Sequence, residues 1–481
     1  MNDRPFISIL MTVYNNERYF PNAVQRILSQ DFEDWELIVV DDGSTDGTPA
    51  LADAFARDDP RVHVIHQENR WIFAALNRAM DAARGEYIFV HNSDDTIRQG
   101  SLRIMAQKAQ QFHPDVVWVP IILHKCDENQ NIVEYNFLKL DETLEEKYYA
   151  TKKEIEENWM QFWKEDLSIN QVNLYRAELM KKHRFREDWF GSDTLFNIGL
   201  ADEIRSAFTL GERVYEYYQY VSVDNMNASI GKWYGYEHEM YHEMYSRSRD
   251  LLHKWGRPEE ELLYWDNWRL KNFFAELDLL TRDSGKLSAD EGRDYLRRFS
   301  DDKILLDCAV RMGRTEELQE RIQWAARMME DPNLRKRYEQ FITNAREHRE
   351  DVSPETFRTR NRIYIYGAGE AGQEAFYDLR SLNCVDAFID RSPVKQREGY
   401  CNLPVLSPEV LFDAHDKTHI ILIALKEAVS AGVLADRLQM AGYRYGTDVF
   451  HYSDFLSEGG PGQEQAPIAS FRAYLRENAC L

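Results

Sequence analysis

Two adjacent carboxylates follow an apolar run in the segment FVHNSDDTI. Asp94 and Asp95 follow Tyr87–Val90, a stretch with the composition of a buried strand, after the three polar residues His-Asn-Ser. Neighbouring carboxylates repel each other unless a proton or a cation lies between them. A polar loop has a similar composition, because Asp and Ser are common where strands end. The pattern therefore has two interpretations, a polar loop or a site for a divalent cation.

A second acidic pair ends the apolar run in the segment LIVVDDGSTDGT, and a tyrosine follows the first apolar run of the chain. A glycine-containing turn of this kind has a purely structural explanation when it stands alone. In open parallel sheets, however, ligands bind beyond the carboxyl ends of the strands. We therefore expect the polar residues at the strand ends to lie along one edge of a sheet: Tyr14, Asp41, Asp42, Asp94 and Asp95.

Short apolar strands alternate with amphipathic helices from Phe6 to Val90. The strands are predicted at FISILMTV, WELIVV, RVHVIHQ and EYIFV. Continuous apolar strands of this kind predict a parallel sheet that is covered by helices on both faces. Thr48 before Pro49 predicts a helix start, with Thr48 as the N-cap and the proline at the first helical position.

The composition of the chain limits which partners it is expected to bind and in which cellular compartment it is expected to act. The chain has 59 Lys and Arg against 82 Asp and Glu, a formal net charge of −23, which disfavours nucleic acid or an anionic membrane as the main partner. No apolar run has the length of a membrane span, and the N-terminus lacks the features of a signal peptide. The 5 cysteines are scattered and show no CxxC spacing, which argues against a zinc cluster or a disulfide framework. We therefore expect a cytoplasmic protein.

The pattern changes twice along the 481 residues. Charged, aromatic-rich helical segments begin at about residue 236, and a strand-helix alternation returns at IYIYGAGEAGQEAF. A chain of this length is expected to form about two to four domains. We predict an α/β domain over residues 1–232, a helical domain over 233–355, a small α/β domain over 356–456, and a linker with a tail over 457–481.

The segments MTVYN, LIVVDDGSTDGT and NSDD, in this order, resemble the inverting glycosyltransferases of family 2, which have the GT-A fold. The resemblance covers roughly the first 230 residues. It implies an α/β domain of the nucleotide-diphospho-sugar transferase type. It also implies transfer of a hexosyl or N-acetylhexosaminyl group from a nucleotide-sugar donor to a glycan or protein acceptor, in the biosynthesis of a bacterial surface polysaccharide or glycoprotein.

The resemblance assigns roles to individual residues. Thr12 and Tyr14 would line the nucleotide pocket, with Tyr14 able to stack on the base. Asp42 would accept a hydrogen bond from uracil, which makes UDP the expected carrier. Asp94 would face the ribose or the metal, and Asp95 would bind the Mn2+ or Mg2+ ion that bridges the diphosphate. Hard cations of this kind prefer oxygen ligands and neutralise the charge that develops on the leaving group.

Two positions depart from the pattern of the family. Asn92 stands where the family has the first acid of its DxDD motif, so one negative charge is missing. Leu76 stands where the family often has Arg or Lys, so Arg70 or Arg78 is expected to contact the diphosphate instead. Neither change removes Asp95.

The segment FREDWFGSDTLFNIGLA contains the candidate general base. Gly191-Ser192-Asp193 matches the Gly-Glu-Asp element of the family, and the match assigns the base role to Asp193, with Ser192 in place of Glu. The alternative is that Asp193 is the N-cap of the next helix, where Asp is favoured. Glu187 and Asp188 are the rival bases.

A second glycine pattern follows a predicted strand and begins a helix. Gly367, Gly369 and Gly372 have the GxGxxG spacing, and Asp390 closes the next strand, near where an acid would hold a ribose. The region resembles small Rossmann-like modules of bacterial sugar-modifying enzymes, which implies a second nucleotide site. The alternative is an assembly or regulatory module whose glycines serve only the turn.

Two other functions remain as alternatives. A sugar nucleotidyltransferase would need a glycine-rich loop after the first strand, and MTVYNNERYF has no glycine. A non-catalytic nucleotide-sugar sensor or scaffold is the stronger alternative, because Asn92 and Ser192 depart from the family. The sequence leaves open the sugar, the acceptor and whether the chain forms a homo-oligomer.

Overall fold

Four parallel strands lie at the positions that the sequence predicts: β1 (Ile7–Val13), β2 (Trp35–Asp41), β3 (Val62–His66) and β4 (Tyr87–Val90). They pair in the order β3-β2-β1-β4. Almost every side chain of β1, β2 and β4 is buried. Because both faces of these strands are covered, their sequences are continuous apolar runs and do not alternate with polar residues.

The same sheet continues with four shorter strands: β6 (Val116–Trp118), β9 (Lys147–Tyr149), β10 (Leu174–Arg176) and β11 (Ala207–Thr209). β10 is antiparallel to both of its neighbours, β4 and β6. The complete sheet has 8 strands in the order β3-β2-β1-β4-β10-β6-β11-β9. The sheet is therefore mixed, and its parallel part is the part that the sequence predicts.

A second, 4-stranded sheet is formed by β5 (Thr96–Ile97), β7 (Ile121–Cys126), β8 (Ile132–Glu134) and β12 (Tyr215–Tyr220). β12 pairs with β5 in antiparallel orientation, so Tyr215 lies opposite Ile97. Because β5 begins directly after Asp95, this pairing brings a distant strand to the acidic loop.

The helices before residue 283 are α1 (Phe20–Leu28), α2 (Thr48–Asp58), α3 (Ile72–Ala82), α4 (Ser101–Phe112), α5 (Lys152–Lys164), α6 (Ala177–Met180), α7 (Ser192–Ala201), α8 (Glu237–Lys254) and α9 (Glu259–Arg282). The predicted N-cap of α2 at Thr48 is wrong, because Gly47 is the N-cap and Thr48 is already helical. The reason is that Asp46 supplies the oxygen that accepts the Thr48 N–H, at 3.0 Å.

Later in the chain, helices α10 (Ala289–Ser300), α11 (Lys303–Arg311) and α12 (Thr315–Glu330) precede a parallel sheet. Its 5 strands are β13 (Arg362–Tyr366), β14 (Val385–Ile389), β15 (Val405–Leu406), β16 (His419–Ile423) and β17 (Val449–His451), in the order β15-β14-β13-β16-β17. Helices α13 (Glu370–Leu379), α14 (Pro393–Glu398), α15 (Val410–Asp413) and α16 (Ala428–Met440) alternate with these strands. The strand order reverses between β13 and β16, the point at which open α/β sheets bind ligands.

This computed structural model describes residues 4–127, 129–134, 145–164, 172–220, 234–282, 289–300, 302–330, 362–379, 385–413, 419–425, 428–444 and 448–451. The chain divides into two compact units, Met1–Arg269 and Leu270–Leu481. In the second unit, Glu320 of α12 pairs with Arg391 at 3.3 Å and with Arg437 at 3.0 Å, so α12 and the sheet belong together. The domain boundaries at residues 232, 355 and 456 stay predictions, and the tail over 457–481 lies outside the described residues. Among the helices of the described ranges, none has both the length and the apolar composition of a membrane span.

Candidate active site

The loops after β1, β2 and β4 are joined by hydrogen bonds. The Asn16 amide Nδ2 donates to the carbonyl oxygen of Ser93 at 3.1 Å and to its hydroxyl at 3.0 Å, and the Asn16 N–H donates to Thr48 Oγ1 at 2.9 Å. Glu17 Oε2 accepts the Gly47 N–H at 2.6 Å. Asn16 and Glu17 were not among the site residues predicted from the sequence. The polar run NNE directly after Tyr14 is the signal that could have identified them.

The predicted nucleotide-pocket residues lie at this edge of the sheet. Asp42 is 3% exposed, and its N–H donates to the carbonyl of Val13 at 2.9 Å, which places it beside the end of β1. Its Oδ1 accepts hydrogen bonds from Gln67 Nε2 at 2.7 Å and from the Arg70 N–H at 2.9 Å. Thr12 is partly exposed near the end of β1, and Tyr14 is 42% exposed. The structure thus brings Thr12, Tyr14 and Asp42 to one place.

Asp41 shares this edge but is engaged within the protein. Its Oδ1 accepts the Ser44 N–H at 3.1 Å, and its Oδ2 lies 2.8 Å from Nδ1 of His66. The hydrogen bond from His66 to Asp41 is the main reason that the pKa of His66 is raised. Asp41 therefore supports the turn after β2, while Asp42 contacts Gln67 and Arg70.

Arg70 lies beside the pocket, with its side chain held by an acid. Its Nη2 is 3.0 Å from Glu187 Oε2, and Glu187 Oε1 also accepts from Asn77 Nδ2 at 3.1 Å. Leu76 is buried within α3, and Arg78 is exposed on the same helix. Of the two predicted phosphate-binding arginines, Arg70 is the one that the structure connects to Asp42.

Asp94 and Asp95 have different surroundings. Asp95 is 1% exposed, and its Oδ2 accepts from Asn92 Nδ2 and from the Tyr215 hydroxyl, both at 2.7 Å. Its Oδ1 accepts the Tyr218 N–H at 2.9 Å. Asp94 is partly exposed, and within the described part of the chain its carboxylate receives a hydrogen bond only from its own backbone. The oxygens of Asp94 are therefore the more open of the two sets.

The two carboxylates destabilise each other's charge. Burial raises the pKa of Asp94 to about 6. Burial, and then the charge of Asp94, raise the pKa of Asp95 well above its usual value. A divalent cation beside the pair would remove this penalty, and carboxylate oxygens are the ligands that such ions prefer. The residues present therefore fit a Mn2+ or Mg2+ ion.

Asn92 has a structural role at the position of the missing acid. Its amide donates a hydrogen bond to Asp95. A carboxylate at residue 92 would place a third negative charge at this distance, which would be repulsive without a cation.

Asp193 is the second residue of α7, whose N-cap is Gly191 and which has no side-chain cap. The N-cap interpretation of Asp193 is therefore wrong, because the helix already begins at Ser192. Asp193 Oδ1 accepts the Thr194 N–H at 2.8 Å. Asp193 is partly buried, and burial raises the pKa of its carboxyl group to about 6. At neutral pH it would be ionised and able to accept a proton.

The rival bases are paired with cations. Asp188 accepts two hydrogen bonds from Arg186, at 2.6 and 3.0 Å, and these bonds lower the pKa of Asp188. Glu187 is held by Arg70 and Asn77. A base engaged in this way accepts a proton less readily, so the geometry favours Asp193.

Tyr217 of β12 connects the three key carboxylates. Burial is the main cause of the raised pKa of its phenol, and the negative charges of Asp95, Asp94 and Asp193 raise it further. All three charges therefore lie within electrostatic range of one hydroxyl. Tyr217 was not predicted as a site residue, since no motif distinguishes it among the tyrosines of YEYYQY.

The glycines of the second unit differ in what surrounds them. Gly367 has a φ of +108°, which favours glycine, and a Cβ on Gly372 would overlap the carbonyl oxygen of Gly367. A Cβ on Gly369 would meet nothing within 4 Å. Asp390 accepts the N–H groups of Ala368 and Ser392, each at 2.9 Å, and lies 3.2 Å from Nζ of Lys395. The carboxylate predicted to hold a ribose is thus engaged within the loop.

Residues 8–184 match the profile of the family described as glycosyl transferase family 2. Glycosyltransferase GlyG of Streptococcus pneumoniae is 40% identical over 112 residues, which are 23% of this chain and 37% of that protein. The chain therefore spans well under two thirds of the length of this relative. The GalNAc(5)-diNAcBac-PP-undecaprenol beta-1,3-glucosyltransferase of Campylobacter jejuni is 24% identical over 46% of this chain and 67% of that protein.

Among solved structures, residues 1–349 of S. aureus TarS in complex with UDP-GlcNAc align with a TM-score of 0.43 and 17% identity, over 68% of this chain and 92% of that chain. The family profile and the sequence relatives, and not the structural alignment, indicate the class of enzyme that this chain resembles. Residues 8–184 are similar to glycosyl transferase family 2 enzymes, and the first unit has the α/β sheet expected of a GT-A-like fold.

Proposed function

We propose that the first unit is an inverting glycosyltransferase that uses a nucleotide-diphosphate sugar, with UDP as the carrier, and a divalent cation. The observation that carries this proposal is the acidic pair Asp94 and Asp95 at the end of β4, within the segment that matches glycosyl transferase family 2. An open carboxylate for a cation and a separate carboxylate able to accept a proton are the two groups that such a reaction needs.

The donor would bind along the edge formed by the strand ends. Asp42 would accept a hydrogen bond from the base with the oxygen that Gln67 and Arg70 leave open, and the exposed ring of Tyr14 would stack on the base. Thr12 would line the same pocket, and Arg70 would approach the diphosphate by leaving Glu187.

Asp94, with Asp95 beside it, would hold a Mn2+ or Mg2+ ion, and such an ion neutralises the charge that develops on the departing diphosphate. The hydrogen bonds from Asn92, Tyr215 and Tyr218 fix the orientation of Asp95. This arrangement keeps the acidic loop in place before the donor binds.

Asp193 would act on the acceptor. Its carboxylate takes the proton from the acceptor hydroxyl while the hydroxyl oxygen attacks the anomeric carbon. The bond from that carbon to the diphosphate breaks on the opposite face, so the configuration inverts. The charges of the base and of the acidic pair all lie within electrostatic range of the Tyr217 hydroxyl, and the reacting sugar would lie between them.

The acceptor is proposed to be a glycan, or a protein that carries one, in the biosynthesis of a bacterial surface polysaccharide or glycoprotein. The match to a Campylobacter jejuni glucosyltransferase supports this class of acceptor. A test is to incubate the chain with UDP-, GDP- and dTDP-sugars, with and without Mn2+, and to measure release of the nucleotide. Cation-dependent release of UDP supports the enzyme, whereas cation-dependent UDP binding without any turnover supports the sensor or scaffold.

The open space around Gly369 favours a second candidate function, nucleotide binding in the second unit. In glycine loops that bind phosphate, one glycine allows a ligand to approach the backbone, and a Cβ on Gly369 would meet nothing within 4 Å, although the Tyr400 hydroxyl donates to the Gly369 carbonyl oxygen at 3.2 Å. Lys395 lies at the same loop, where its Nζ contacts Asp390 and the carbonyl oxygen of Ala368. Because Asp390 is engaged within the loop, the ligand would contact Gly369 and not Asp390.

Gly369→Ala is therefore expected to leave the melting temperature unchanged and to abolish nucleotide binding at this loop. The measurement is calorimetric titration with UDP and, separately, with NAD+, where the stoichiometry in the variant should fall by one site for the nucleotide that binds. Gly372→Ala is the matched control, since overlap with Gly367 should lower stability by about 1–3 kcal/mol. Equal stoichiometry in wild type and Gly369→Ala for both nucleotides would leave the glycines with a structural role only.

A further inference from the structure

One backbone conformation of the first unit is unusual for its residue type. Trp71 has φ 74° and ψ 161°, a region that is open to glycine and strained for residues with a side chain. Strain of this kind is retained where the surrounding structure imposes it, and it is concentrated at functional sites. Trp71 directly follows Arg70, whose N–H binds Asp42 at the nucleotide pocket.

The Trp71 ring belongs to a group of aromatic side chains that includes Phe190, three residues before Asp193. Its centroid is 6.4 Å from that of Tyr234, which stacks on Phe190 at 5.8 Å with an interplanar angle of 15°. Tyr234 also stacks on Tyr236 at 5.5 Å, and the Tyr236 hydroxyl accepts the Phe190 N–H at 3.0 Å. We call Trp71, Phe190, Tyr234 and Tyr236 the aromatic shelf.

The aromatic shelf is accessible and lies between two parts of the site. Tyr234 is 37% exposed, and the rings of Trp71 and Phe190 are partly exposed. Trp71 adjoins the residues that contact Asp42, whereas Phe190 precedes the Gly191-Ser192-Asp193 segment. A ligand on the shelf would therefore be next to the candidate base on one side and next to the nucleotide pocket on the other.

The chemistry of the aromatic shelf indicates the class of its ligand. Flat rings offer apolar area together with the hydroxyls of Tyr234 and Tyr236, and the ion pair of Arg70 and Glu187 is close in sequence to both ends. Sugar rings have an apolar C–H face and a rim of hydroxyls, so they match aromatic faces bordered by polar groups.

We propose that the aromatic shelf binds a sugar ring of the acceptor glycan and positions its hydroxyl at Asp193. This inference rests on the proposed function, because it assigns the second substrate of the same reaction. The strained conformation of Trp71 directs an indole ring to a place that a residue with ordinary backbone angles would not reach. The sugar would stack on Trp71 and Tyr234, with Phe190 supporting the latter.

The test is saturation-transfer difference NMR with three β-linked disaccharides as probes: cellobiose, lactose and N,N′-diacetylchitobiose. At least one should bind wild-type protein at millimolar concentration, with the strongest transfer to the protons of one ring face. Trp71→Ala should weaken that binding by about tenfold, and Trp71→Phe should retain most of it, since a stacked ring contributes about this much. UDP affinity, measured by calorimetry, should be the same in all three proteins.

The melting temperatures of Trp71 variants measure the backbone strain at residue 71. Trp71→Gly should melt at a higher temperature than Trp71→Ala, because glycine adopts the backbone angles of residue 71 without strain. Both variants should lose the disaccharide signal equally.

Three results would overturn the inference: no binding of any disaccharide to wild type, unchanged binding in Trp71→Ala, or an equal loss of UDP affinity in that variant. These outcomes differ from failure of the proposed function. Disaccharide binding that depends on Trp71, in a protein that neither binds nor hydrolyses UDP-sugars, would support the shelf and overturn the enzyme assignment.

Discussion

Asp193→Asn is expected to slow sugar transfer by about a hundredfold to ten-thousandfold, the range that general-base catalysis supplies. The amide keeps the size of the side chain and its hydrogen bond to Thr194 but cannot take a proton. Affinity for UDP should be unchanged, because the proposed donor contacts are made by the residues at the ends of β1 and β2 and by the acidic pair, and not by Asp193. The measurement is transfer rate under saturating donor, together with calorimetric titration of UDP.

The pH dependence gives an independent readout of the same carboxyl group. The transfer rate of the wild-type protein should fall as the pH decreases below about 6, because burial raises the pKa of Asp193 to about 6 and the protonated acid cannot act as a base. In Asp193→Asn the small residual rate should lack this acidic limb.

Between about pH 4 and pH 7, the stability of the folded protein should fall as the pH rises, whereas the transfer rate should increase. A raised carboxyl pKa means that the folded state binds the proton more tightly than the unfolded state, so stability is highest below the usual pKa of 3.8 and is lost as the pH rises through about 6. Removing the charge should therefore stabilise the protein by about 1–2 kcal/mol at pH 7, after allowance for partial exposure, with little effect at pH 4.

Asp188→Asn is the matched control for the base. It lies in the same segment, but its carboxylate is paired with Arg186 and its pKa is lowered, so its loss should leave the transfer rate close to that of the wild type. Near-normal turnover in Asp193→Asn with a large loss in Asp188→Asn or Glu187→Gln would reassign the base.

Asp94→Asn is expected to weaken cation-dependent UDP binding by about a hundredfold or more, an effect at least as large as those seen when residues around a metal ligand are changed. The variant replaces the more exposed residue of the acidic pair. Its melting temperature without cation should not fall, because the change removes one of two repelling buried charges. Calorimetric titration of UDP with and without Mn2+ provides the measurement.

Asp95→Asn separates the two acids. Asp95 accepts hydrogen bonds from Asn92, Tyr215 and Tyr218, and an amide can satisfy fewer of these donors, so the variant should lose about 1–3 kcal/mol of stability. If Asp95 alone binds the cation, as the resemblance implied, Asp95→Asn will abolish cation-dependent binding while Asp94→Asn retains it. That result would contradict the role proposed for Asp94.

Several parts of the site could be predicted because they depend on local sequence. Strands that are buried on both faces appear as continuous apolar runs, so the sequence shows where each strand ends. Polar residues at the carboxyl ends of parallel strands lie along one edge of the sheet. Tyr14, Asp42 and Asp94 could therefore be placed together from the strand pattern alone. The same reasoning located the glycine loop between β13 and α13.

Three other features could not be predicted from the local sequence. β10 has only three residues, Leu174–Arg176, which is too short to show a period, and its antiparallel pairing depends on β4 and β6. The strain at Trp71 is a backbone property that residue type would argue against. For Asp193, an N-cap and a base had the same local sequence; the helix start at Ser192 excludes the N-cap, and the base role stays a prediction.

The sequence by itself determined that two carboxylates would follow β4 at the ligand-binding edge. Only the tertiary structure decided which of them is open. The hydroxyl that holds Asp95 comes from Tyr215, 120 residues further along the chain, and reaches it because β12 pairs with β5. Hydrogen-bond donors brought together by long-range strand pairing leave no trace in the spacing of the acidic residues, so Asp94 and Asp95 are equivalent in the sequence and different in the fold.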